Sequence, residues 1–345
     1  MSIPSACKAR YRSILNVTET ERAIKLIKDF FQTRLARSLH LRRITAPFFV
    51  KAGTGINDDL NGVEKPVTFQ AASLDGARIE VVQSLAKWKR LALRDLKIKT
   101  GDGIYTDMNA IRPDETLDAL HSLYVDQWDW ERVITLEQRN LKFLKHIVRK
   151  IYAVVRNTEH FIHSHYPKIR PQLPDDITLI HAQDLEDMHP GLSPADRETA
   201  FCCDRGAIFV IGIGAPLRGG QPHDGRAPDY DDWTTATELG PGLNGDIIVW
   251  NPVLERAFEI SSMGIRVDRP ALERQLEMTG QTARRKLYFH RELLGGRLPL
   301  SVGGGIGQSR LCMYYLRKTH IGEVQSGLWP DAVVSDCRSR GVFLL

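Results

Sequence analysis

The shortage of cysteine and of long apolar segments limits what this chain can be. Five cysteines occur among 345 residues, and none belongs to a C-x-x-C pair or a Cys/His cluster. This odd, scattered set indicates reduced thiols in a cytosolic protein rather than a disulfide framework. The longest apolar runs, such as residues 207–213, are far too short for a membrane span. We expect no signal peptide, because the first ten residues lack an apolar stretch.

The chain also lacks a strong charge imbalance and any internal repeat or low-complexity tract. Its formal net charge is +5, and the basic residues are scattered, so a solvated surface is the simpler interpretation. A nucleic-acid partner is not indicated by such a modest excess. With 42% hydrophobic residues, the sequence predicts a globular protein of one large domain or two ordinary ones.

A dense glycine run at residues 301–310 is the most unusual stretch. It reads Ser-Val-Gly-Gly-Gly-Ile-Gly-Gln-Ser-Arg and continues into an apolar, helix-like segment. Glycines allow close backbone approach, and an arginine at the start of a helix can meet phosphate or stack on a ring. The run lacks the Lys-Ser/Thr of a P-loop and the register of a Rossmann loop. A glycine turn that leads into a core helix is an equally good interpretation.

Residues 120–131 form a strand-like segment that alternates polar residues with tryptophan. The period of two places Gln127, Asp129 and Glu131 on one face. Such a row would be costly to bury unless it binds something, so we favour a site here. A structural ladder of ion pairs is the alternative.

Two acidic residues lie on strand-like segments further along the chain. Asp246 opens the segment 245–250, and Glu259 lies in the segment 258–266. If the segments formed an antiparallel hairpin that paired these residues directly, the two carboxylates would suit a hard cation.

Two polar loops each have two interpretations. Residues 53–62 are either a surface turn or a loop that holds carboxylates over a site. The turn-rich segment 221–246 is either a substrate loop or a solvated acidic turn, with Asp229, Asp231 and Asp232 close together.

Helical patterns cover residues 18–41, where residues 18–21 resemble a cap, and residues 136–164. A third helix is predicted at residues 84–90. There Lys87 and Lys89 cannot share a face, so at most one points into a site, and a solvated basic face is the alternative.

Together these segments resemble the catalytic core of class II aminoacyl-tRNA synthetases, and more narrowly the family of ammonia-dependent asparagine synthetases (aspartate–ammonia ligases). The resemblance begins near residue 18, runs to the C-terminus and rests on five motifs. They are Ser-Leu-Ala-Lys-Trp-Lys-Arg (84–90), Leu-His-Ser-x-Tyr-Val-Asp-Gln-Trp-Asp-Trp-Glu (120–131), Arg-Ala-Pro-Asp-Tyr-Asp-Asp-Trp (226–233), Ser-Ser-Met-Gly-Ile-Arg-Val-Asp (261–268) and Gly-Gly-Gly-Ile-Gly-Gln-Ser-Arg (303–310).

The resemblance implies an α+β fold in which helices flank a mostly antiparallel sheet. We expect one catalytic domain at residues 18–345, preceded by a short disordered extension at residues 1–17. The opening helix and strand, up to Pro47, resemble the motif through which this class dimerises, so a cytoplasmic homodimer is expected.

The implied chemistry joins the side-chain carboxylate of L-aspartate to the α-phosphate of ATP and releases pyrophosphate. Ammonia then displaces AMP and leaves asparagine. On this resemblance Arg112 contacts the α-phosphate, Arg310 contacts adenine or phosphate, and Asp246 with Glu259 holds Mg²⁺. The expected nucleotide site also includes His121, Gly305 and Gly307.

The resemblance also implies a site for aspartate, which carries charges of both signs. Asp129 and Asp231 would bind its ammonium group, while Lys89 would bind its carboxylate end with help from serines. Gln127 would orient the reacting carboxyl group, and Asp58 would receive ammonium and take its proton. The remaining expected substrate-binding residues are Ser84, Ser261, Ser262 and Arg266.

The same resemblance separates this chain from related enzymes. The core motifs begin too early to leave room for an anticodon-binding domain, so no nucleic acid is expected. No cysteine sits beside a glutaminase-like motif, so free ammonia is the expected nitrogen source. The alternatives are an aspartyl-adenylate former that uses tRNA or protein as acceptor, and a non-catalytic binding protein. Gln83, where histidine is expected, and Asp107 depart from the pattern.

Overall fold

A computed structural model describes residues 11–58, 60 and 64–345 of the chain. The first ten residues of the expected extension lie outside the described residues. Its remaining part packs on the body of the protein, because Leu15 is buried and the hydroxyl of Tyr11 donates to Glu323. Residues 11–17 therefore contact the rest of the chain, and the domain boundary expected at residue 18 stays a prediction.

The helices of the described chain are α1 (Val17–Leu39), α2 (Ala86–Asp95), α3 (Leu141–His165), α4 (Ala182–Met188), α5 (Pro194–Arg205), α6 (Arg269–Met278), α7 (Tyr288–Leu294), α8 (Gln308–Tyr315) and α9 (Asp331–Ser339). The strands are β1 (Leu41–Arg43), β2 (Phe49–Lys51), β3 (Thr68–Ala71), β4 (Ala77–Val81), β5 (Gly103–Ile111), β6 (Tyr124–Val133), β7 (Thr178–His181), β8 (Ala207–Ile211), β9 (Ala236–Thr237), β10 (Gly240–Pro241), β11 (Asn244–Asn251), β12 (Arg256–Ile265) and β13 (Ser301–Gly307).

An eight-stranded sheet organises the molecule, in the order β1-β5-β6-β13-β12-β11-β8-β7. Its central strands pair antiparallel, and only the outer pairs β1–β5 and β7–β8 are parallel. A separate three-stranded sheet, β2-β4-β3, leads into α2. The predicted fold class, a mostly antiparallel sheet with flanking helices, is confirmed.

Long helices cover one face of the large sheet and form the main core with it. The Phe31 ring of α1 stacks on Trp128 of β6, with ring centroids 4.7 Å apart. Phe30 stacks on Phe161 of α3 at 4.0 Å, which joins the two helices. Burial of such aromatic side chains is the largest favourable contribution of each contact. The opposite face of the sheet is therefore left for the site.

The first helix begins earlier than predicted. Asn16 caps α1, because its side chain accepts from the Glu19 backbone N–H while the Glu19 carboxylate accepts from the Asn16 N–H. This reciprocal capping box satisfies two N–H groups that otherwise lack partners, and it replaces the cap expected at residues 18–21. The long helix α3, by contrast, begins later than predicted, at Leu141, and Asn140 caps it. No helix in the described ranges has the length and apolarity needed to cross a membrane.

A break in the register of β12 decides which of its side chains reach the site. Opposite β11, Ile247 pairs with Ser261 and Ile248 with Glu259, so Ile260 is left over as a bulge. On the two sides of this bulge, the residues in the main core are Phe258, Ile260, Met263 and Ile265. The alternation shifts by one position at the bulge, as expected for an inserted residue.

Candidate active site

A cleft of about 440 Å³ opens on the uncovered face of the sheet. Strands β6, β12 and β13 form its floor, and the polar loops and the start of α8 form its walls. This volume is in the range typical of small-molecule sites. The predicted site residues that line it are Asp58, Ser84, Lys89, Arg112, His121, Gln127, Asp129, Asp231, Glu259, Ser262, Arg266, Gly305, Gly307 and Arg310.

The polar face of β6 supplies the centre of the cleft, as predicted from its alternation. Gln127 and Asp129 line the cleft, and Glu131 is fully buried behind them. Asp129 Oδ1 accepts from Lys89 Nζ at 2.9 Å, whereas its buried Oδ2 has no partner. An unpaired carboxylate oxygen facing a cleft is suited to a cationic ligand group.

Lys89 is held by three acceptors in this structure. Besides Asp129, its ammonium group donates to the carbonyls of Trp130 at 3.0 Å and Gly304 at 3.3 Å. Lys87, two positions earlier, points elsewhere and contacts Asp229 at 3.0 Å. Only Lys89 lines the cleft, as the helical spacing predicted, but the alternative of a solvated basic face is wrong because both lysines are buried.

Arg266 lies between two carboxylates under the cleft floor. Its guanidinium contacts Glu131 Oε2 at 2.9 Å and also pairs with Asp231. Burial raises the pKa of Glu131, but Arg266 and Lys89 lower it more, so the pKa lies below its usual value. Burial raises the pKa of Asp231 despite Arg266. The acidic turn predicted at residues 229–232 is therefore not solvated, which corrects that interpretation.

The glycine run forms β13 and not a turn. None of its glycines has a positive φ, so their role is to leave space. A Cβ on Gly303 would lie 1.9 Å from Glu131 Oε2, and one on Gly305 would lie 2.4 Å from Gln127 Oε1. The glycines thus make room for the polar row of β6. The arginine expected at the start of the following helix, Arg310, lies in the first turn of α8.

Arg112 and Arg310 bring positive charge to the cleft. Arg310 Nη1 contacts Glu259 Oε2 at 3.1 Å and the Glu259 carbonyl at 3.2 Å. Arg112 is 3.8 Å from Glu115, and its buried Nε has no partner. His121 is hydrogen-bonded to Asp118 at 2.9 Å on the rim of the cleft. The two arginines leave guanidinium groups available to an anionic ligand.

The carboxylates Asp246 and Glu259 lie on antiparallel neighbours, as expected, but they do not pair directly. Asp246 is opposite Ser262, and Glu259 is opposite Ile248 because of the bulge. Burial raises the pKa of Asp246 to about 7, with a further contribution from Glu259. That influence places the two carboxylates close enough to interact. Asp246 does not line the cleft itself, because Arg226 pairs with its Oδ2.

These two carboxylates are the candidate ligands for a divalent cation. The described residues contain no group of three or more His, Cys, Asp or Glu side chains that could hold a metal. Mg²⁺ is commonly held by one or two carboxylates together with substrate phosphates, so a pair is sufficient. The buried Oδ1 of Asp246 has no hydrogen-bond partner, which fits a cation ligand.

Asp58 is buried at the cleft, next to a tyrosine that the sequence did not suggest. The Asp58 carboxylate is one of the groups that raise the pKa of Tyr230 well above its usual value, after burial. Both residues line the cleft. Asp58 lies only 3% exposed, which excludes the surface-turn interpretation for this part of the loop.

Besides Asp246, one more predicted residue does not line the cleft, and other lining residues were missed. Ser261 donates its hydroxyl to the Gly305 carbonyl at 2.9 Å and joins β12 to β13. The missed lining residues with polar groups include Arg226, Tyr230, Asp126, Ser309 and Gln325. Arg226 and Tyr230 belong to the acidic loop motif, which was the only available signal. Asp126 accepts from the Ser309 N–H at 3.0 Å, a contact between distant segments that no local pattern predicts.

The two departures from the expected pattern have different surroundings. Gln83 is fully buried, and neither polar atom of its amide has a partner. Asp107 connects three elements, because it contacts Arg43 Nη2 at 2.7 Å and accepts from Gln308 Nε2 at 3.1 Å. Asp107 is thus a structural link between β1, β5 and the start of α8.

The antiparallel sheet, its glycine-rich strand and the helix that follows it give the chain the fold of class II aminoacyl-tRNA synthetases. A crystal structure of asparaginyl-tRNA synthetase from Pyrococcus horikoshii, complexed with asparaginyl-adenylate, superposes with a TM-score of 0.66 at 16% identity, over 90% of this chain and 70% of that one. At that identity the likeness concerns the fold.

The sequence narrows this class to one family. The family model for aspartate–ammonia ligase matches residues 18–341. An aspartate–ammonia ligase of Bacteroides thetaiotaomicron is 56% identical, with 97% of each chain covered. One from Parabacteroides distasonis is also 56% identical, with 98% of each chain covered. The chain belongs to the aspartate–ammonia ligase family and is an enzyme of that type.

Proposed function

We propose that this enzyme makes L-asparagine from L-aspartate and ammonia, with ATP converted to AMP and pyrophosphate through a β-aspartyl-AMP intermediate. The proposal rests on one observation: groups suited to a nucleotide and groups suited to an amino acid line the same cleft. Arg112 and Arg310 are suited to the phosphates of ATP. Asp129 and Lys89, a short distance along the same floor, match the opposite charges of an amino acid.

In the first half of the reaction, the nucleotide end of the cleft stabilises developing negative charge. An aspartate side-chain carboxylate attacks the α-phosphorus, and the bond to pyrophosphate breaks. We assign Arg112 to the α-phosphate and Arg310 to adenine or phosphate, with His121, Gly305 and Gly307 around the nucleotide. Because these groups are fixed before the substrate arrives, they stabilise the transition state without reorganising.

At the aspartate end, the substrate is held by groups of both signs. The unpaired Oδ2 of Asp129 accepts from the substrate ammonium, and Asp231 completes that negative side. Lys89 faces the substrate carboxylate, and its contact with Gly304, the longest of three, is the one we expect a carboxylate to replace. Gln127 orients the reacting carboxyl group. The neighbouring substrate-binding groups are Ser84, Ser262 and Arg266.

Mg²⁺ would be held by Asp246 and Glu259 together with phosphate oxygens of ATP. When bound, it supplies positive charge to the phosphates. Arg226 and Arg310 pair with these carboxylates and also line the cleft, so their guanidinium groups would be available to the nucleotide if the carboxylates held the cation.

In the second half of the reaction, ammonia attacks the β-carbonyl of the adenylate, and the bond to AMP breaks. Only neutral ammonia is nucleophilic, so a base must take a proton from ammonium. We assign this role to Asp58, which is buried at the cleft beside Tyr230. A carboxylate attracts the cation as well as accepting its proton.

The function is tested by incubating the purified protein with ATP, Mg²⁺ and aspartate, and offering ammonium, glutamine or tRNA as acceptor. Asparagine and AMP should form in equal amounts with ammonium. Adenylate formation without asparagine, or transfer to tRNA, would reject the proposal. No aspartate-dependent turnover of ATP at all would favour a non-catalytic binding protein.

Replacing Asp58 by asparagine should separate the two halves of the reaction. We expect Asp58→Asn to reduce asparagine formation from ammonium by about a hundredfold or more, because a general base is lost. Aspartate-dependent exchange of labelled pyrophosphate into ATP should stay near the wild-type rate. An equal fall in both rates would place Asp58 in the adenylation site instead.

The cation site is tested by Glu259→Gln. The amide keeps the shape of the side chain but removes a charge, so the Mg²⁺ concentration for half-maximal pyrophosphate exchange should rise about tenfold. Glu255→Gln, on the exposed turn that precedes β12, is the matched control and should leave the Mg²⁺ requirement unchanged. An unchanged requirement in Glu259→Gln would remove this residue from the site.

We also place the enzyme in the cytoplasm as a homodimer that uses no nucleic acid. The support for a dimer is that β1 lies at the edge of the large sheet, where no strand of the described residues pairs with its outer side, and that α1 lies next to it. Sedimentation equilibrium gives the mass in solution and tests this assignment.

A further inference from the structure

A fully buried histidine contacts two loops that line the cleft, the one that carries Asp58 and the one that carries Tyr230 and Asp231. His290 belongs to α7 and does not line the cleft. Its Nε2 is 2.9 Å from Asp229 Oδ2, while its Nδ1 has no hydrogen-bond partner. The contact with Asp229 therefore fixes Nε2, whereas the edge of the ring that carries Nδ1 packs against the protein without a hydrogen bond.

Asp229 belongs to a segment that other contacts already fix. Its carboxylate accepts from Lys87 Nζ at 3.0 Å and from Arg284 Nη1 at 2.8 Å. Burial raises the pKa of Asp229, but Lys87, His290 and Arg284 together lower it below the usual range. Gln275 Nε2 also donates to the Asp231 carbonyl at 2.9 Å. Asp229, Tyr230 and Asp231 therefore keep their places without depending on His290 alone.

The free edge of the His290 ring rests against the loop that carries Asp58. A Cβ on Gly55 would lie 3.0 Å from His290 Nδ1 and 2.9 Å from Leu287 Cβ, so the loop backbone touches α7 closely. Gly55 has φ +71°, a conformation that other residues adopt only with strain.

Two further contacts hold the same loop on α7. The Phe289 N–H donates to the Thr54 carbonyl at 3.2 Å. Ile56 packs against the apolar cluster that contains Phe289 and Leu293. The loop thus rests on α7 immediately before Asp58, and the His290 ring touches this loop and also bonds Asp229.

We propose that His290 is a positioning residue for the ammonia-accepting half of the reaction, because its ring connects the loop that carries Asp58 to the segment that carries Tyr230 and Asp231. The inference depends on the assignment of Asp58 as the ammonium site in the proposed function. Removing the ring leaves Asp229 with two cations, whereas the Asp58 loop loses the contact with the ring at Gly55 and keeps those of Thr54 and Ile56. A small displacement of a catalytic group reduces the reaction rate strongly, even when the substituted residue does not itself contact the substrate.

The test is His290→Ala, measured in both halves of the reaction. We expect the KM for ammonium to rise about tenfold or more, while aspartate-dependent pyrophosphate exchange stays within about twofold of wild type. Retained exchange also shows that the variant is folded. Equal losses in both halves, or no change in the ammonium KM, would overturn the inference.

Two more variants separate positioning from a general loss of stability. His290→Phe keeps a ring against Gly55 and should restore the ammonium KM to within about threefold; behaviour like that of alanine would contradict support by the ring. His181→Ala is the matched control, since His181 is also buried and bonds the Pro241 carbonyl at 3.0 Å, far from this loop. It should lower the unfolding midpoint without changing the ammonium KM. If the wild type makes no asparagine from ammonium, the proposed function fails rather than this inference.

Discussion

Arg310→Ala should lower aspartate-dependent pyrophosphate exchange by about a thousandfold or more. Arg310 projects from the first turn of α8 into the cleft, where its charge stabilises the phosphate in the transition state. Arginines in such positions contribute about 10³-fold to 10⁵-fold in phosphoryl transfer. The fold should be intact, because Arg310 and Glu259 are both partly exposed, and a pair of that kind stabilises a protein by at most about 1 kcal/mol.

Two comparisons make the Arg310 result specific. Arg310→Lys keeps the charge but loses the planar fork, so its activity should lie between those of the wild type and Arg310→Ala. Arg22→Ala, on the exposed surface of α1, should leave the exchange rate unchanged. Exchange at the wild-type rate in a folded Arg310→Ala protein would remove this residue from the nucleotide site.

Glu131→Gln should lower the free energy of unfolding by about 3–5 kcal/mol, the range for removing one partner of a buried ion pair. Arg266 would keep Asp231 but lose the negative charge of Glu131, and the single amide oxygen could no longer serve both Arg266 and the buried Ser301 hydroxyl as the two carboxylate oxygens do. Urea denaturation measures the difference. Glu21→Gln, on the exposed face of α1, is the control and should change stability by less than about 0.5 kcal/mol.

The same variant should change the acid sensitivity of the protein. The pKa of Glu131 is lowered in the folded state, so its ionised form stabilises the fold above the unfolded pKa of about 4.3. This contribution disappears as the pH falls through the lower, folded pKa. Unfolding free energies measured between about pH 2 and pH 7 should therefore decline less steeply in Glu131→Gln than in the wild type. Parallel curves would contradict the assigned pKa direction.

Local patterns predicted the site where one element was enough to define it. The alternation of β6 placed Gln127 and Asp129 correctly, because a strand has a period of two wherever it is regular. The role of the glycine run was harder to predict, because a turn and a close approach of the backbone both favour glycine. Its actual role depends on β6, the neighbouring strand, where Glu131 occupies the space that a side chain on Gly303 would need.

Tertiary partners explain the interpretations that failed. Lys87 was compatible with a solvated face because its partner, Asp229, is 142 positions away in the sequence. Asp232 belonged to an apparently exposed acidic turn, but Arg139 pairs with it from the segment before α3. In each case a distant opposite charge offsets part of the cost of burying the ion, and single-sequence spacing contains no information about that partner.

The bulge in β12 has a consequence for recognising this kind of site in other sequences. Glu259 and Arg266 both line the cleft, yet an odd number of positions separates them, which a regular strand would assign to opposite faces. A sequence search that requires strict alternation along this strand would miss the site. A search that allows the alternation to shift once by one position after the acidic residue would find it. Without Ile260 the two residues would be an even number of positions apart, which a regular strand places on one face. The inserted residue is thus a part of the signature, although its own side chain is apolar.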